Sequence, residues 1–446
     1  MKKTVYFTMN RSRFAFVSAF AAGAFAAVAA PYSFKIVCDE PERIRSAGEE
    51  TEFRIFCTDL GTNTVGGEVE VRLDNFGSTT LVSRKADPAK ENPIVLKGSL
   101  DGPGFLRAVA INPAISATPF GLGKGNGCDS VGYEAEKLRP GFERPADFDS
   151  YWEGEQNRLR REVPLDVRRE ALSGKKGFKI WKVSFATFGG KRVWGFLSVP
   201  DDASKGPWPL KVNVPGAGPA CPEALAATEA RTVSLVMNVH PFEPAKTQKE
   251  QAALYAGQDK RMLAKYGVTY ATAGIAVSRE ECFFHDAILG IDRAVDWAAA
   301  LPEVDRSRIW YHGGSQGGGF GMYLMGLNSN FARGIVWVCA LADHGGHLAG
   351  RIPGWPRMVA RSGGKEEARK VAALNAPYFD ACHFAPRVKV PVRMTVGLSD
   401  VCCPPPSVWC VYNCLGSADK EIVPCPGVGH AFPADVKARL YKWLAQ

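Results

Sequence analysis

The hexapeptide Gly313-Gly314-Ser315-Gln316-Gly317-Gly318 follows directly on the apolar run Ile309-Trp310-Tyr311 and precedes a helix-compatible stretch over residues 320–327. Strand, glycine-flanked serine and helix in that order read as a nucleophile elbow. A serine hydroxyl that attacks a carbonyl must stand free at a sharp strand-to-helix turn, and glycines two before and two after it supply the room and the backbone angles. The competing reading is a glycine-rich turn that merely contains a serine. A bare G-x-S-x-G recurs by chance, so the strand before it and the helix after it carry the assignment of Ser315 as nucleophile.

An elbow of this kind expects its partners later in the chain, first a carboxylate and then a histidine. The strand-like run Val392-Arg393-Met394-Thr395-Val396 ends in Gly397-Leu398-Ser399-Asp400, which sets Asp400 just past a strand's C-terminal end, where open α/β sheets gather their ligands. The last histidine, His430, lies in Pro426-Gly427-Val428-Gly429-His430-Ala431-Phe432, a short loop before a terminal helix over residues 434–444. In these roles His430 takes the serine proton and returns it to the leaving alcohol, while Asp400 orients the imidazole and stabilises its charged form. The tetrahedral oxyanion needs two donors. The backbone N–H of Gln316 is one, and the loop Pro215-Gly216-Ala217-Gly218, after the apolar run at residues 210–214, offers the N–H of Ala217 as the other.

The remaining histidines and the cysteines admit other chemistry. Asp343, His344 and His347 could pair around a metal, but their loop brings no fourth ligand, so a place on the pocket rim is expected. His240, His285, His312 and His383 read as structural, His312 buried at a strand end and His240 near the substrate. Of 12 cysteines, Cys38 and Cys57 lie in neighbouring strand-like segments and form either a bridge or two buried thiols. Cys402, Cys403, Cys410, Cys414 and Cys425 crowd the stretch between Asp400 and His430. They lack the paired C-x-x-C spacing of a zinc site, and local disulfides pinning the acid and base loops are expected instead. No metal or other cofactor is expected.

Taken together, G-x-S-Q-G-G at residues 313–318, Gly397-Leu398-Ser399-Asp400 with Cys403-Pro404-Pro405, and Gly429-His430 resemble the acetylxylan esterase and cephalosporin-C deacetylase family of α/β-hydrolases. The segment from Arg144-Pro145-Ala146-Asp147 to Tyr151-Trp152 and the helix and strand over residues 286–308 extend the likeness to about residues 135–446. The resemblance implies an α/β-hydrolase and a serine esterase that removes acetyl groups from carbohydrate through an acyl-enzyme. The chain also departs from the family pattern. Val239-His240-Pro241-Phe242 stands near the usual Arg-Gly-Gln, Pro215 replaces the histidine and Ala217 the tyrosine of the oxyanion loop, and His430-Ala431 replaces His-Glu. Loss of the tyrosine opens or reshapes the acyl pocket.

The rest of the chain sets the frame. Its 446 residues, 46% hydrophobic and 23% charged, suffice for two folded domains. Residues 1–30 read as a signal peptide: Lys2, Lys3, Arg11 and Arg13 precede an apolar stretch over residues 14–30 that ends in Ala27-Val28-Ala29, which implies export to the periplasm or medium. That stretch falls just short of a comfortable membrane span of about 20 residues, so no stable anchor is expected. Four of the cations behind the formal net charge of +9 lie in this segment, and the others are dispersed, which argues against nucleic acid as a partner. Residues 31–125 alternate apolar and polar positions between turn residues, as in a small all-β, immunoglobulin-like sandwich, with residues 113–126 as a Gly/Pro-rich connection. Residues 126–446 alternate strands and helices, with strand-like runs at Lys211, Ser234, Tyr270, Ile309, Gly334 and Val392 that each precede a loop or helix, the doubly wound α/β plan. Three activities fit this frame: the carbohydrate esterase acting on acetylated oligo- or polysaccharide, a serine peptidase of the prolyl-oligopeptidase type, and a non-catalytic carbohydrate-binding protein on the same fold. The intact set Ser315, Asp400, His430 argues against the binding protein, Gln316 and the absence of a long propeller-like repeat region argue against the peptidase, and a homo-oligomer is compatible with each.

Overall fold

The structure is a computed structural model and describes residues 32–59, 68–111, 127–202 and 205–446. The expected signal peptide and the connection at residues 113–126 lie outside the described residues. The first strands are β1 (Tyr32–Cys38), β2 (Ile44–Arg45), β3 (Thr51–Asp59), β4 (Val69–Asn75), β5 (Thr80–Ala86), β6 (Ile94–Gly98), β7 (Gly104–Ile111) and β8 (Gly127–Tyr133). They form two sheets, in the orders β1-β3-β6 and β2-β8-β7-β4-β5. Period-two alternation explains the core between them. Phe53, Ile55 and Cys57 of β3 meet Val69, Val71 and Leu73 of β4 and Leu106, Ala108 and Ala110 of β7, all buried in one cluster. Strand β8 pairs with β7 along its whole length and so carries this all-β unit past residue 125.

The expected disulfides do not form, and all the cysteines are free thiols. In the β1–β3 ladder Cys38 sits opposite Phe53 while Cys57 sits opposite Phe34. The two sulfurs are therefore separated by four residues along the strands, about 13 Å, far beyond bridging reach.

A second, larger sheet runs β17-β16-β15-β14-β12-β13-β11-β10-β9. Its members are β9 (Arg168–Leu172), β10 (Phe178–Ala186), β11 (Arg192–Pro200), β12 (Trp208–Asn213), β13 (Val233–Asn238), β14 (Val304–Gly314), β15 (Arg333–Trp337), β16 (Val392–Gly397) and β17 (Lys420–Cys425). The pairings that involve β9, β10 and β11 are antiparallel, and those from β13 through β17 are parallel. The helices are α1 (Phe148–Glu162), α2 (Gln248–Tyr266), α3 (Phe283–Ala299), α4 (Gln316–Leu327), α5 (Glu366–Asn375), α6 (Ala381–Phe384), α7 (Pro405–Cys414) and α8 (Ala434–Leu444). Adjacent residues of β14 show why both faces are covered. Trp310 packs with Ile335 against Leu440 and Leu444 of α8, whereas Tyr311 joins the main core with Phe320 and Val336. This is the doubly wound α/β arrangement of an α/β-hydrolase. The run at Tyr270, read as one of the strand-like segments, is instead the 3₁₀ turn Tyr270–Thr272.

Strand β12 lies between β13 and β14, so the chain leaves it in one direction and returns on its other side. Ligands of open α/β sheets collect at such a reversal, beyond the carboxyl ends of the strands. The loops after β16 and β17 end at the same rim, and β8 of the all-β unit is docked on them. Ser130 Oγ donates to Leu398 O at 2.7 Å, the Ser399 hydroxyl donates to Cys128 O, and Gly427 N–H donates to Asp129 Oδ1 at 3.1 Å. Asp129 is buried and paired with the buried Arg43 at 2.9 Å. Removing one partner of a buried pair strands the other charge. Arg43→Ala is therefore expected to destabilise the protein by about 3–5 kcal/mol, read as a lower thermal midpoint and an earlier denaturant transition.

Candidate active site

Ser315 stands between β14 and α4 with φ 56° and ψ −125°, a conformation that a non-glycine residue adopts only under constraint. Its backbone is held on both sides: the N–H donates to Trp337 O at 3.1 Å, and the carbonyl accepts from Ala340 N at 3.0 Å and Gly319 N at 3.1 Å. The flanking glycines are required by close approach. A Cβ on Gly313 would lie 2.7 Å from Gly317 O, and one on Gly317 would lie 2.0 Å from Val214 O. The hexapeptide thus presses the elbow against the end of β12.

The structure brings Ser315, His430 and Asp400 into one hydrogen-bonded chain. His430 Nδ1 is 2.8 Å from Asp400 Oδ2, and His430 Nε2 is 2.9 Å from Ser315 Oγ. A carboxylate can only accept, so Nδ1 carries the proton and Nε2 offers its lone pair to the serine hydroxyl. The other oxygen of Asp400 accepts from the N–H groups of Cys402 at 2.8 Å and Cys403 at 3.0 Å, which fixes the buried carboxylate in place. Burial disfavours the charged imidazole of His430, but the hydrogen bond and negative charge of Asp400 outweigh it and raise its pKa above the ordinary histidine value. With one third of its side chain exposed, His430 sits at the mouth of the site, whereas Asp400 forms its floor. The acid and base loops are also tied to each other, by Ser399 N–H to Val428 O at 2.9 Å and Leu398 N–H to Cys425 O at 3.1 Å.

Gln316 is the first residue of α4, so helix geometry leaves its N–H without an intrahelical acceptor. The loop after β12 runs beside it, with the Gly216 Cα close enough to the elbow that an added Cβ would lie 3.8 Å from Ser315 Cβ. Ala217 is the next residue, exposed on the same loop. A buried polar relay supports this loop from behind. His240 Nε2 is 2.8 Å from Gly218 O and Nδ1 is 2.7 Å from Gln258 Nε2. A carbonyl cannot donate, so Nε2 carries the proton. Burial pushes His240 down to about 4, which keeps the ring neutral and that tautomer intact. Tyr270 packs edge-on against His240 and donates from its hydroxyl to Gln316 Oε1 at 2.9 Å. His240 thus lies behind the loop after β12. Tyr270 and Gln258 carried no signal in the linear sequence, because their role depends on a turn and a helix that meet only in the fold.

Other expectations change with the structure. Asp343 and His344 are fully buried rather than on a pocket rim. Asp343 pairs with Arg351 at 2.8 Å, and the His344 N–H donates to Asp380 at 2.6 Å. Only His347 of that segment is exposed. His312 lies at the end of β14, half-buried, with Nδ1 2.6 Å from the Tyr441 hydroxyl.

The crowding at Gly317 gives a direct check on the elbow. Gly317→Ala is expected to lower the thermal midpoint by an equivalent of about 1–3 kcal/mol, since its methyl would meet backbone. Gly257→Ala, whose methyl meets only the Arg261 guanidinium at 3.7 Å within α2, is expected to be neutral or to stabilise by up to about 1 kcal/mol.

The family model of acetyl xylan esterase (AXE1) matches residues 133–446. The acetyl esterase Axe7A of Xylanibacter ruminicola is 25% identical over 422 residues, covering 93% of this chain and 90% of that protein. Among solved structures, acetyl xylan esterase 1 from Thermoanaerobacterium sp. JW/SL YS485 superposes with a TM-score of 0.57 at 19% identity, over 70% of this chain and 96% of its own. The acetyl xylan esterase from Paenibacillus sp. R4 gives a TM-score of 0.57 at 21% identity, over 70% and 98%. These two likenesses establish the α/β-hydrolase fold, and the family match, which spans the elbow, the acid loop and the base loop, establishes that this chain belongs to the acetyl xylan esterase family and is a carboxylic ester hydrolase.

Proposed function

We propose that this protein is a serine esterase that removes acetyl groups from carbohydrate through a covalent acyl-enzyme, with Ser315 as nucleophile, His430 as general base and then acid, and Asp400 as the orienting carboxylate. The observation that carries this reading is the chain of contacts from Ser315 Oγ to His430 Nε2 at 2.9 Å and from His430 Nδ1 to Asp400 Oδ2 at 2.8 Å. Attack of Oγ on the acetyl carbonyl passes its proton to Nε2, and Asp400 balances the charge that appears on the ring. The oxyanion is received by the N–H of Gln316 and that of Ala217. The alcohol leaves with the proton from Nε2, and water repeats the sequence in reverse to release acetate. The elbow needs no rearrangement to begin, because the serine proton already faces its acceptor.

The choice of acetylated oligo- or polysaccharide rests on family membership and on the names of the three relatives given above, an acetyl esterase and two acetyl xylan esterases. Export follows from the basic and apolar character of residues 1–30. Among the described residues no helix is long and apolar enough to cross a membrane. We assign residues 31–125 with β8 to a supporting all-β domain and the following residues to the catalytic domain.

Acetate release from acetylated xylo-oligosaccharide and from a small aryl acetate, alongside cleavage of a dipeptide amide, tests the proposal. The wild type is expected to act on both esters and not on the amide, and Ser315→Ala to lose at least about 10³-fold in kcat/KM. Equal acetate release by the two proteins removes the serine mechanism, and amide cleavage alone reassigns the enzyme as a peptidase. Tyr270→Phe probes the relay behind the oxyanion loop. Loss of its hydroxyl frees Gln316, and kcat is expected to fall about tenfold with KM nearly constant, whereas an unchanged kcat detaches Tyr270 from catalysis.

A further inference from the structure

The acyl-transfer scheme leaves two side chains beside the catalytic histidine without a task. Cys402 and Cys403 follow Asp400 closely, and both Sγ atoms and a ring nitrogen of His430 lie within 4.8 Å of one another. Ligand atoms around a tetrahedral zinc, with Zn–S near 2.3 Å and Zn–N near 2.0–2.1 Å, stand about 3.5–3.8 Å apart. The three donors therefore approach coordination spacing.

Their backbone is immobilised independently of the sulfurs. The N–H groups of Cys402 and Cys403 are committed to Asp400, and the Cys402 carbonyl accepts from Trp355 N–H at 3.2 Å. Cys403 is fully buried, Cys402 is half-buried and His430 reaches the surface, which makes a dry floor with one open side. The charges also close. Two thiolates neutralise a divalent cation, and the guanidinium of Arg357, which donates to Val401 O at 3.3 Å, lies near both sulfurs and favours their deprotonated forms. The linear spacing argued against zinc because adjacent cysteines are not a C-x-x-C pair, but the fold brings the third ligand from the loop after β17.

We propose that Cys402, Cys403 and His430 form a binding site for a thiophilic divalent cation of the zinc or cadmium kind, and that its occupancy switches the esterase off. Binding releases the two thiol protons to solvent and uses the lone pair of one imidazole nitrogen, with the fourth position left to water. Both ring nitrogens are already engaged, one with Asp400 and one with Ser315. A cation on either one breaks the hydrogen-bonded chain. The inhibition rests on the reading of His430 as the base, whereas the binding does not.

The test uses the purified full chain with its thiols reduced and the reductant removed. Equilibrium dialysis against zinc chloride is expected to give one tightly held equivalent per chain, and cadmium chloride is expected to raise a thiolate-to-cadmium charge-transfer band. Aryl-acetate hydrolysis is expected to fall at least tenfold at saturation and to recover with a chelator. Cys402→Ser and Cys402→Val are both expected to shrink the band and to raise the half-inhibitory concentration at least tenfold, each rate being compared with that variant's own metal-free rate. His430→Gln, read by dialysis alone, is expected to bind at least tenfold more weakly. Absence of the band in the wild type overturns the site, as does inhibition that is equal in the Cys402 variants. Tight binding with an unchanged rate keeps the site and overturns the switch, together with the assignment of His430 as base.

Discussion

The left-handed turn at Ser315 is the constraint on which the rest of this structure depends. A serine at φ 56° is tolerated only if its surroundings leave it no alternative, and here its N–H and carbonyl are held by Trp337, Gly319 and Ala340 while Gly313 and Gly317 allow backbone to pass where a methyl would collide. The close approach of Gly317 to Val214 has a second effect: it carries the loop after β12 up to Ser315. One piece of crowded backbone therefore projects the hydroxyl and brings the loop of Gly216 and Ala217 beside it.

The other half of the site is assembled by polar contacts between segments far apart in the chain. Asp400 is held by the peptide groups that follow it, and the loops after β16 and β17 are laced together by Ser399 with Val428 and Leu398 with Cys425. Strand β8 then docks on the outer side of both through Ser130, Cys128 and Asp129. The all-β unit is thus a brace for the two loops that carry Asp400 and His430. On the far side of the elbow, the neutral His240 and the hydroxyl of Tyr270 hold Gly218 and Gln316. Buried hydrogen bonds of this kind are costly to leave unmade, so each support also resists the small displacements that would open the chain from Ser315 to Asp400.

Much of the site was legible in the residues because its chemistry is local to short segments. Ser315, Asp400 and His430 each sit in a turn whose composition announces it, and the chain order of serine, acid and base does the rest. Reading failed where the outcome depended on registry or on packing. Cys38 and Cys57 looked bridgeable in neighbouring strands until the ladder set them four residues apart. Asp343 and His344 looked like a polar rim, but Arg351 and Asp380 draw them inside. The apolar run at Tyr270 forms a turn, because its ring belongs to an aromatic cluster with His240, Tyr255 and Phe283.

What the sequence by itself determined is the elbow, the strand ends bearing the acid and base, and the two folding regimes, since hydrophobic period and turn chemistry act within a few residues. What only the tertiary structure decided is the support: which strand braces the loop of Asp400, which histidine stays neutral behind the loop after β12, and that a pair of adjacent cysteines faces the imidazole of another loop. Those contacts join residues separated by tens to hundreds of positions, and nothing in local propensity encodes which surfaces will meet once the sheet has closed.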